Sequence, residues 1–417
     1  MLSSVFSSFV IRVLGAFLAF TMGVVVTRNL GVDDAGVFFW GFSLVALGAS
    51  VASMGTEVSV VRFAGEQRSA GISVLRKALL LVFVSGSLVA VIYYFAIPLR
   101  GVEGNGGAHL RAFTPAFVLS PLLVVVSSYL QGAARVVASV LVLKIVGVLL
   151  FCVFIMVAGI SSVQASAYAY SLACLVSLLI GVWLLRSVFF CGIGKGVGWR
   201  QFARSFFPLW LVVIAGALVQ WFSQVIAGVV VDAEEMAWFA AAGRTSMLVN
   251  FVLIAVNSVV GPRFAESFRK GGREGDLICI VRWSVRVMIF GSIPLFLFLY
   301  LFSVGLMNLY GDGFGFGSGL LRVLLLGQFV CALAGPVGYL LIMTGHEVDA
   351  MRGAFAAAGT VVLFTLIAFF KTDVMGFALA TAAGVVVQNV YNSFCVWRRL
   401  NINILTVWFK LQKGETA

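Results

Sequence analysis

About a dozen stretches of roughly 20 apolar residues run through this chain, and each is long enough to cross a bilayer, because 20 residues at 1.5 Å span about 30 Å of hydrocarbon. They fall at approximately 5–27, 36–57, 76–98, 112–131, 137–159, 164–186, 206–231, 237–260, 283–305, 320–344, 350–370 and 374–397, with ends good to about two to four residues. A β-barrel would show alternating ten-residue strands, and none is present. Of the 417 residues 62% are hydrophobic and 11% charged, with a mean hydropathy of +1.10. Soluble domains carry roughly 25% charged residues, so no soluble domain of this size fits. The expected fold is an all-α polytopic membrane protein with about 12 transmembrane helices.

The chain also repeats itself. Val32-Asp33-Asp34-Ala35-Gly36-Val37-Phe38 is echoed by Ala233-Glu234-Glu235-Met236-Ala237-Trp238-Phe239. Arg62-Phe63-Ala64 returns as Arg263-Phe264-Ala265 at the same spacing, 33 to 234 and 62 to 263. The repeated unit is far longer than a soluble solenoid repeat and predicts two pseudo-symmetric six-helix lobes, an arrangement typical of transporters. The hydrophilic stretch from Arg186 to Arg204, with Gly192, Gly194, Gly196 and Gly198, is the natural hinge. The division is then approximately 1–190 for the N-terminal lobe, 191–205 for a cytoplasmic linker, 206–400 for the C-terminal lobe and 401–417 for a cytoplasmic tail. The first apolar stretch is too long for the core of a signal peptide and lacks a small-residue cleavage site, so it is expected to stay.

Lys and Arg set the orientation. With the N-terminus cytoplasmic, the inside segments hold Arg62, Arg68, Arg76, Lys77, Arg135, Arg186, Lys195, Arg200 and Arg204 in the first half. The second half adds Arg263, Arg269, Lys270, Arg273, Arg282, Arg286, Arg352, Arg398, Arg399, Lys410 and Lys413. Outside segments keep Arg28, Arg100, Arg111, Arg322 and Lys371 beside Asp33, Asp34, Asp232, Glu234 and Glu235. This bias predicts that both termini are cytoplasmic. It also accounts for most of the net charge of +12, so no nucleic-acid partner is needed.

Catalytic and metal signatures fail. No C-x-x-C spacing occurs, Cys152, Cys174, Cys279, Cys331 and Cys395 fall in or beside apolar stretches, and Cys191 lies in the hinge. His109 and His346 have no neighbouring ligands, so no metal site is expected. A G-x-x-x-x-G-K-[ST] loop is missing, and Gly311-Asp312-Gly313-Phe314-Gly315-Phe316-Gly317 matches no nucleotide motif. Asp33-Asp34 is the one enzyme candidate, placed where a membrane glycosyltransferase would hold a metal or activate an acceptor. The simpler reading makes the pair helix-capping acids at the positive start of the second helix. The copied Glu234-Glu235 favours that reading, as expected of a structural device duplicated with its helix.

Charges inside the apolar stretches are more informative. Arg12, Lys144 and Arg244 each lie about seven residues, roughly 10 Å, inside their helices. A charge at mid-bilayer costs roughly 2.5–3.5 kcal/mol even on insertion scales, so these cations are expected to face a substrate cavity, with snorkelling to the interface as the alternative. Glu57 is expected to pair with a nearby Arg, with proton carriage as the alternative. Amides cluster in the second half, as Gln220 with Gln224, Asn250 with Asn257, and Gln388, Asn389 and Asn392. Gln220 and Gln224 share a helix face, as do Gln388 and Asn392, and such faces either bond between helices or line a sugar-accommodating cavity. Trp210, Trp221, Trp238 and Trp283 read first as interface anchors.

Several segments resemble a known family. Thr27-Arg28-Asn29-Leu30-Gly31-Val32-Asp33-Asp34-Ala35-Gly36-Val37-Phe38 is similar to the "ar-x-LGpeeyGlf" signature after the first helix of the polysaccharide transporter family, within the multidrug/oligosaccharidyl-lipid/polysaccharide flippase superfamily. Trp238-Phe239-Ala240-Ala241-Ala242-Gly243-Arg244 resembles its "G-x-ya-aa-R" opening of helix eight, and Leu309-Tyr310-Gly311-Asp312-Gly313-Phe314 its "lyG-x-eF". Met236-Ala237 stands where that family usually has a Gly. The resemblance implies a V-shaped transporter, not an enzyme. Its expected cargo is an undecaprenyl-pyrophosphate-linked oligosaccharide, such as an O-antigen, capsule or exopolysaccharide unit, carried across a bacterial inner membrane by alternating access. The substrate cavity would comprise Arg12, Lys144, Arg244, Gln220, Gln224, Asn250, Asn257 and Gln388, because cations in a water-poor cavity offset the desolvation of a pyrophosphate. The implied partners are the lipid-linked oligosaccharide and membrane lipids, with polysaccharide polymerase and glycosyltransferases as further candidates. No cofactor is implied, and coupling to a proton or sodium gradient is left open. A drug or small-molecule cation antiporter of the same superfamily is the second reading, and a glycosyltransferase or polymerase the third.

The charge bias predicts that reporter fusions after Arg68, Arg200, Arg273 and Lys413 read cytoplasmic, while fusions within Gly101–Gly107 and after Asp232 read external. An external C-terminus would defeat both the even helix count and the six-plus-six division.

Overall fold

In the computed structural model, residues 2–66, 68–96, 106–186, 197–253, 256–257, 260, 264 and 274–403 are described, and side chains are described for all of these except 2–13, 16, 66, 68–70, 106–108 and 274–277. Twelve long helices follow one another: α1 (Leu2–Leu30), α2 (Val32–Ser53), α3 (Arg68–Ala96), α4 (Ala116–Gly132), α5 (Val136–Ala158) and α6 (Val163–Leu184) in the first half. The second half holds α7 (Trp199–Val230), α8 (Ala233–Leu253), α9 (Glu274–Leu301), α10 (Ser318–Ala334), α11 (Glu347–Lys371) and α12 (Val374–Leu400). Eleven spans among the described residues are long and apolar enough to cross a membrane, and the described apolar part of α1 is Phe17–Leu30. Successive long helices alternate in direction, so the start of α1 and the end of α12 lie on one face, here the terminal face. The α1–α2 and α7–α8 turns lie on the opposite, far face.

The two halves repeat in detail. α2 starts after Gly31, whose φ of 82° lets the chain leave α1 and turn directly into the next helix. Asp33 and Asp34 occupy its first turn, and Glu234 and Glu235 occupy the first turn of α8. In each pair the first acid is exposed and the second half-buried. The capping expectation is corrected in one respect. Gly31 and Asp232 hold the two N-cap positions, and neither cap makes a side-chain hydrogen bond, so the four acids act through charge on the helix dipole. Phe63 and Phe264, the middle residues of the second repeated mark, are both buried, while Arg263 and Ala265 lie outside the described residues.

A further correction concerns the linker. The expected linker reaches residue 205, yet α7 begins at Trp199, because Phe202 and Phe206 bury against the first lobe. Lys77 of α3 secures this start by donating to the Val197 carbonyl and lying 5.3 Å from the Trp199 ring centroid. Residues 191–196 and the tail from 404 lie outside the described residues. A short helix absent from the sequence reading, Thr56–Glu66, follows α2 after a left-handed turn at Met54 and Gly55. It carries Glu57, which forms no ion pair among the described residues. Its Oε2 has no hydrogen-bond partner, and burial raises the carboxyl pKa against hydrogen bonds from its own backbone and Ser53.

Three apolar clusters show how the lobes sit. Near the far face one cluster joins both, with Phe38, Phe39, Phe113 and Phe151 of the first lobe meeting Ala237, Phe239, Ala241, Tyr310 and Leu321 of the second. Near the terminal face there are two. Val60, Phe63, Leu75 and Tyr129 pack with Phe202 and Phe206, and separately Val256, Phe264, Val285, Leu340 and Val396 pack within the second lobe. The lobes are therefore joined at the far end and diverge towards the terminal face.

Small residues make the joint, because lipid offers no hydrophobic drive between helices and close van der Waals approach has to supply the attraction. A Cβ on Gly36 would fall on the Ala233 carbonyl oxygen, and one on Gly228 on the Trp40 indole. Gly36→Val should force the far seam apart at about 1–3 kcal/mol, a shift of roughly 5- to 150-fold in favour of far-open molecules. Spin labels on Asn29 and Asp312, beside the seam, should then report longer distances. An unchanged distribution would show that the helices can slide past each other at no cost.

Candidate functional site

Where the lobes diverge they enclose a cavity of about 440 Å³, inside the range of roughly 300–1,000 Å³ typical of ligand pockets. Its walls come from both lobes. Gly15, Ala19 and Phe20 of α1, Phe42 of α2, Lys144 and Phe151 of α5 and Tyr170 of α6 face Gln220 and Trp221 of α7 and Arg244 and Asn250 of α8. Among the described residues no carboxylate lines it.

Local backbone geometry positions these side chains. α5 carries a π-helical segment over Leu141–Val146 that contains Lys144, and α7 carries one over Leu218–Phe222 that contains Gln220 and Trp221. Each π-turn inserts an extra residue and rotates the helix face beyond it, and such turns often mark functional sites. Gly15 lets α1 come close to this segment, since a Cβ there would stand 3.3 Å from the Lys144 Cβ. α8 tightens into a 3₁₀ turn over Met247–Val249, between Arg244 and Asn250.

Arg244 is held by its own helix and by the facing lobe. Its Nη1 donates to the Ala240 carbonyl at 3.1 Å, and its guanidinium carbon lies 4.0 Å from the Phe39 ring centroid and 5.3 Å from that of Phe42. The Nη2 nitrogen is buried with no hydrogen-bond partner. Desolvated cation–π contacts contribute about 2 kcal/mol, comparable to the roughly 2.5–3.5 kcal/mol cost of the charge at mid-bilayer.

Of the eight residues nominated from sequence, Lys144, Gln220, Arg244 and Asn250 converge on the cavity. Three do not. Gln224, one turn beyond Gln220, is buried against α8 with its Nε2 3.1 Å from where a Gly243 Cβ would stand, and its Oε1 is unpartnered. Asn257 lies further along the chain with a buried, unpartnered Oδ1, and Gln388 is half-buried on α12. Periodicity places a residue on a face of its helix but does not say which neighbour that face meets. Arg12 belongs to α1, and its side chain lies outside the described residues. The sequence reading also missed the aromatic lining, Phe42, Phe151 and Tyr170, because rings in an apolar stretch look alike whether they face lipid or a cavity. Trp221 was read as an anchor, yet it lines the cavity 5.8 Å from Phe42, centroid to centroid. Among the described residues no three His, Cys, Asp or Glu side chains converge as a metal site.

Above the cavity, the segments that carry the family resemblance come together. Thr27 Oγ1 donates to the Tyr310 carbonyl at 2.6 Å, Arg28 Nε donates to the Leu309 carbonyl at 2.9 Å, and the Thr245 and Tyr310 hydroxyls lie 3.0 Å apart. Trp40 Nε1 adds a bond to the Val225 carbonyl at 3.1 Å. The motifs thus encode the closure of the far seam.

The family described as polysaccharide biosynthesis protein matches residues 1–268, about two thirds of the chain. The chain belongs to this family. Solved structures of MOP superfamily transporters share its fold. The lipid II flippase MurJ in an inward closed conformation superposes with a TM-score of 0.75 at 13% identity, covering 98% of this chain and 93% of that one. An inward-facing multidrug resistance MATE family transporter gives 0.70 at 16% identity over 95% and 96% of the two chains, and an outward-facing MATE structure gives 0.66 at 16% over 98% and 96%. No curated protein matches the sequence. The fold, with its pseudo-symmetric lobes, is the one these membrane transporters adopt.

The first-turn acids yield a test of the enzyme reading. Converting Asp33 and Asp34 together to Asn removes a charge–dipole contribution of only about 0.3–1 kcal/mol per residue. The double variant should insert normally and sustain wild-type surface polysaccharide in a complemented deletion strain. A normally inserted but inactive variant would indicate a metal-holding or basic role, and with it a glycosyltransferase.

Proposed function

We propose that this protein is a flippase for an undecaprenyl-pyrophosphate-linked oligosaccharide, of the kind built into O-antigen lipopolysaccharide, capsule or exopolysaccharide, in a bacterial inner membrane. The observation that carries the reading is a cavity between the lobes with Lys144 from one and Arg244 from the other, and no carboxylate among the described residues of its lining. A pyrophosphate crossing a low-dielectric region loses its hydration, and charge-assisted hydrogen bonds from Lys and Arg replace it. Gln220 and Asn250 offer amide donors and acceptors for the sugar, while the polyprenyl tail stays in the bilayer. The Lys and Arg bias of the terminal face makes that face cytoplasmic on the positive-inside rule, so the closed far seam corresponds to loading from the cytoplasm. The lobes then rock about the cavity to release the cargo outside, with coupling to a proton or sodium gradient as the energy source. Polymerase and glycosyltransferases acting on the same lipid-linked unit are the expected partners.

Likeness to multidrug transporters supports a second reading, a cation antiporter of the same superfamily. Cavity charge argues against it: a cationic cargo seeks a carboxylate, and Lys144 and Arg244 would repel it.

Arg244→Ala should abolish delivery of surface polysaccharide and cause lipid-linked intermediate to accumulate, with the protein still inserted. Arg244→Lys should restore part of the activity, since charge is kept and the planar fork is lost. Normal transport by Arg244→Ala would remove the main support for an anionic cargo.

A further inference from the structure

The contact between Arg244 and the α2 rings crosses the seam. Phe39 and Phe42 belong to the first lobe and Arg244 to the second, with centroid distances of 4.0 and 5.3 Å. The guanidinium thus does two things at once. It supplies an unpartnered buried donor, Nη2, beside the cavity, and it ties the lobes together above it. Its neighbours extend the tie to the rest of the seam. Thr245 meets the Tyr310 hydroxyl at 3.0 Å, and the Tyr310 carbonyl accepts from Thr27 at 2.6 Å. At Gly23 of α1 an added Cβ would stand 2.9 Å from the Tyr310 ring and 3.3 Å from the Arg244 Cδ, so the group packs against α1 without slack.

Cation–π attraction scales with the net charge presented to the ring. An oxyanion that pairs with the guanidinium neutralises that charge, and the rings are then held less firmly. Two interactions that draw on one cation oppose each other, and by linkage whatever favours one disfavours the other.

The geometry points to Phe39 and Phe42 as positioning residues that clasp Arg244 and hold the far seam shut until a phosphate in the cavity engages the guanidinium, so that occupancy itself loosens the seam. Cargo loading and far-side opening are then the same event at one side chain. The inference rests on the phosphate-carrier reading above, and it adds the device by which a loaded molecule differs from an empty one.

The test uses the full chain in lipid nanodiscs with Ala237→Cys, a fully buried seam position, as reporter. Labelling by a hydrophilic maleimide is read on the peptide that carries position 237. Inorganic pyrophosphate forms one arm and undecaprenyl pyrophosphate in the nanodisc the other, which separates a free phosphate from a lipid headgroup. Slow labelling of the reporter chain should accelerate roughly 5- to 150-fold with the effective probe. Phe39→Leu should label fast with no probe and respond little to it, while Phe39→Trp, which keeps a π face, should label slowly and respond as the parent does. Phe42→Leu, at the more distant ring, should show the same effect more weakly. A purely packing role would not be rescued by the larger Trp. Slow labelling of both Leu variants, or binding of a probe by calorimetry without faster labelling of the parent, overturns the clasp and leaves the carrier reading intact. Failure of both probes to bind overturns the carrier reading together with the coupling.

Discussion

Backbone contact between α2 and α8 is the constraint on which the remaining structure depends. In hydrocarbon, helix association draws on van der Waals packing, and that attraction falls off within a fraction of an ångström. Gly36 against Ala233 and Gly228 against Trp40 bring the lobes close enough at the far end to form one continuous apolar cluster. Towards the terminal face the first lobe is met by the start of α7, with Gly55 against the Trp210 backbone and Phe202 and Phe206 in its apolar cluster, and the cavity lies where the remaining helices diverge. Hydrogen bonds from Thr27, Arg28 and Trp40 to carbonyls of the opposite lobe set the register of the seam. Loss of the Thr27 or Trp40 bond would leave buried or half-buried groups unpaired.

Departures from α geometry cluster around the cavity. Two π segments and a 3₁₀ turn fall at Lys144, at Gln220 and Trp221, and between Arg244 and Asn250. A regular helix repeats its face every 3.6 residues, whereas the inserted residue of a π-turn moves one side chain to another face while leaving both flanking helices in place. That permits a cation on an otherwise lipid-compatible helix to reach the interior.

α7 joins the two lobes in a second way. Its start packs with the first lobe through Phe202 and Phe206, while Ser223 near its other end bonds to Thr365 of α11 at 2.8 Å. The π segment at Leu218–Phe222 lies between these attachments. One helix thus belongs to each lobe over part of its length, an arrangement suited to lobes that rock while the chain stays continuous.

By itself the sequence determined the long apolar helices, their order and the twofold repeat, because these follow from local quantities: the length of each apolar stretch, the turn residues between stretches and the copying of Asp33-Asp34 as Glu234-Glu235. It also marked Lys144 and Arg244 as costly charges in need of an environment, since depth along the helix already says that the charge lies away from water unless something meets it. Only the tertiary structure decided what that environment is. Which of two glutamines one turn apart, Gln220 or Gln224, meets the cavity depends on a π-turn with no signature in composition. Whether Phe39 faces lipid or Arg244 depends on how two helices 200 residues apart approach each other. Depth in the bilayer is a property of one helix, but a neighbour is a property of two, and van der Waals contact between helices is decided by packing that no single stretch of sequence contains.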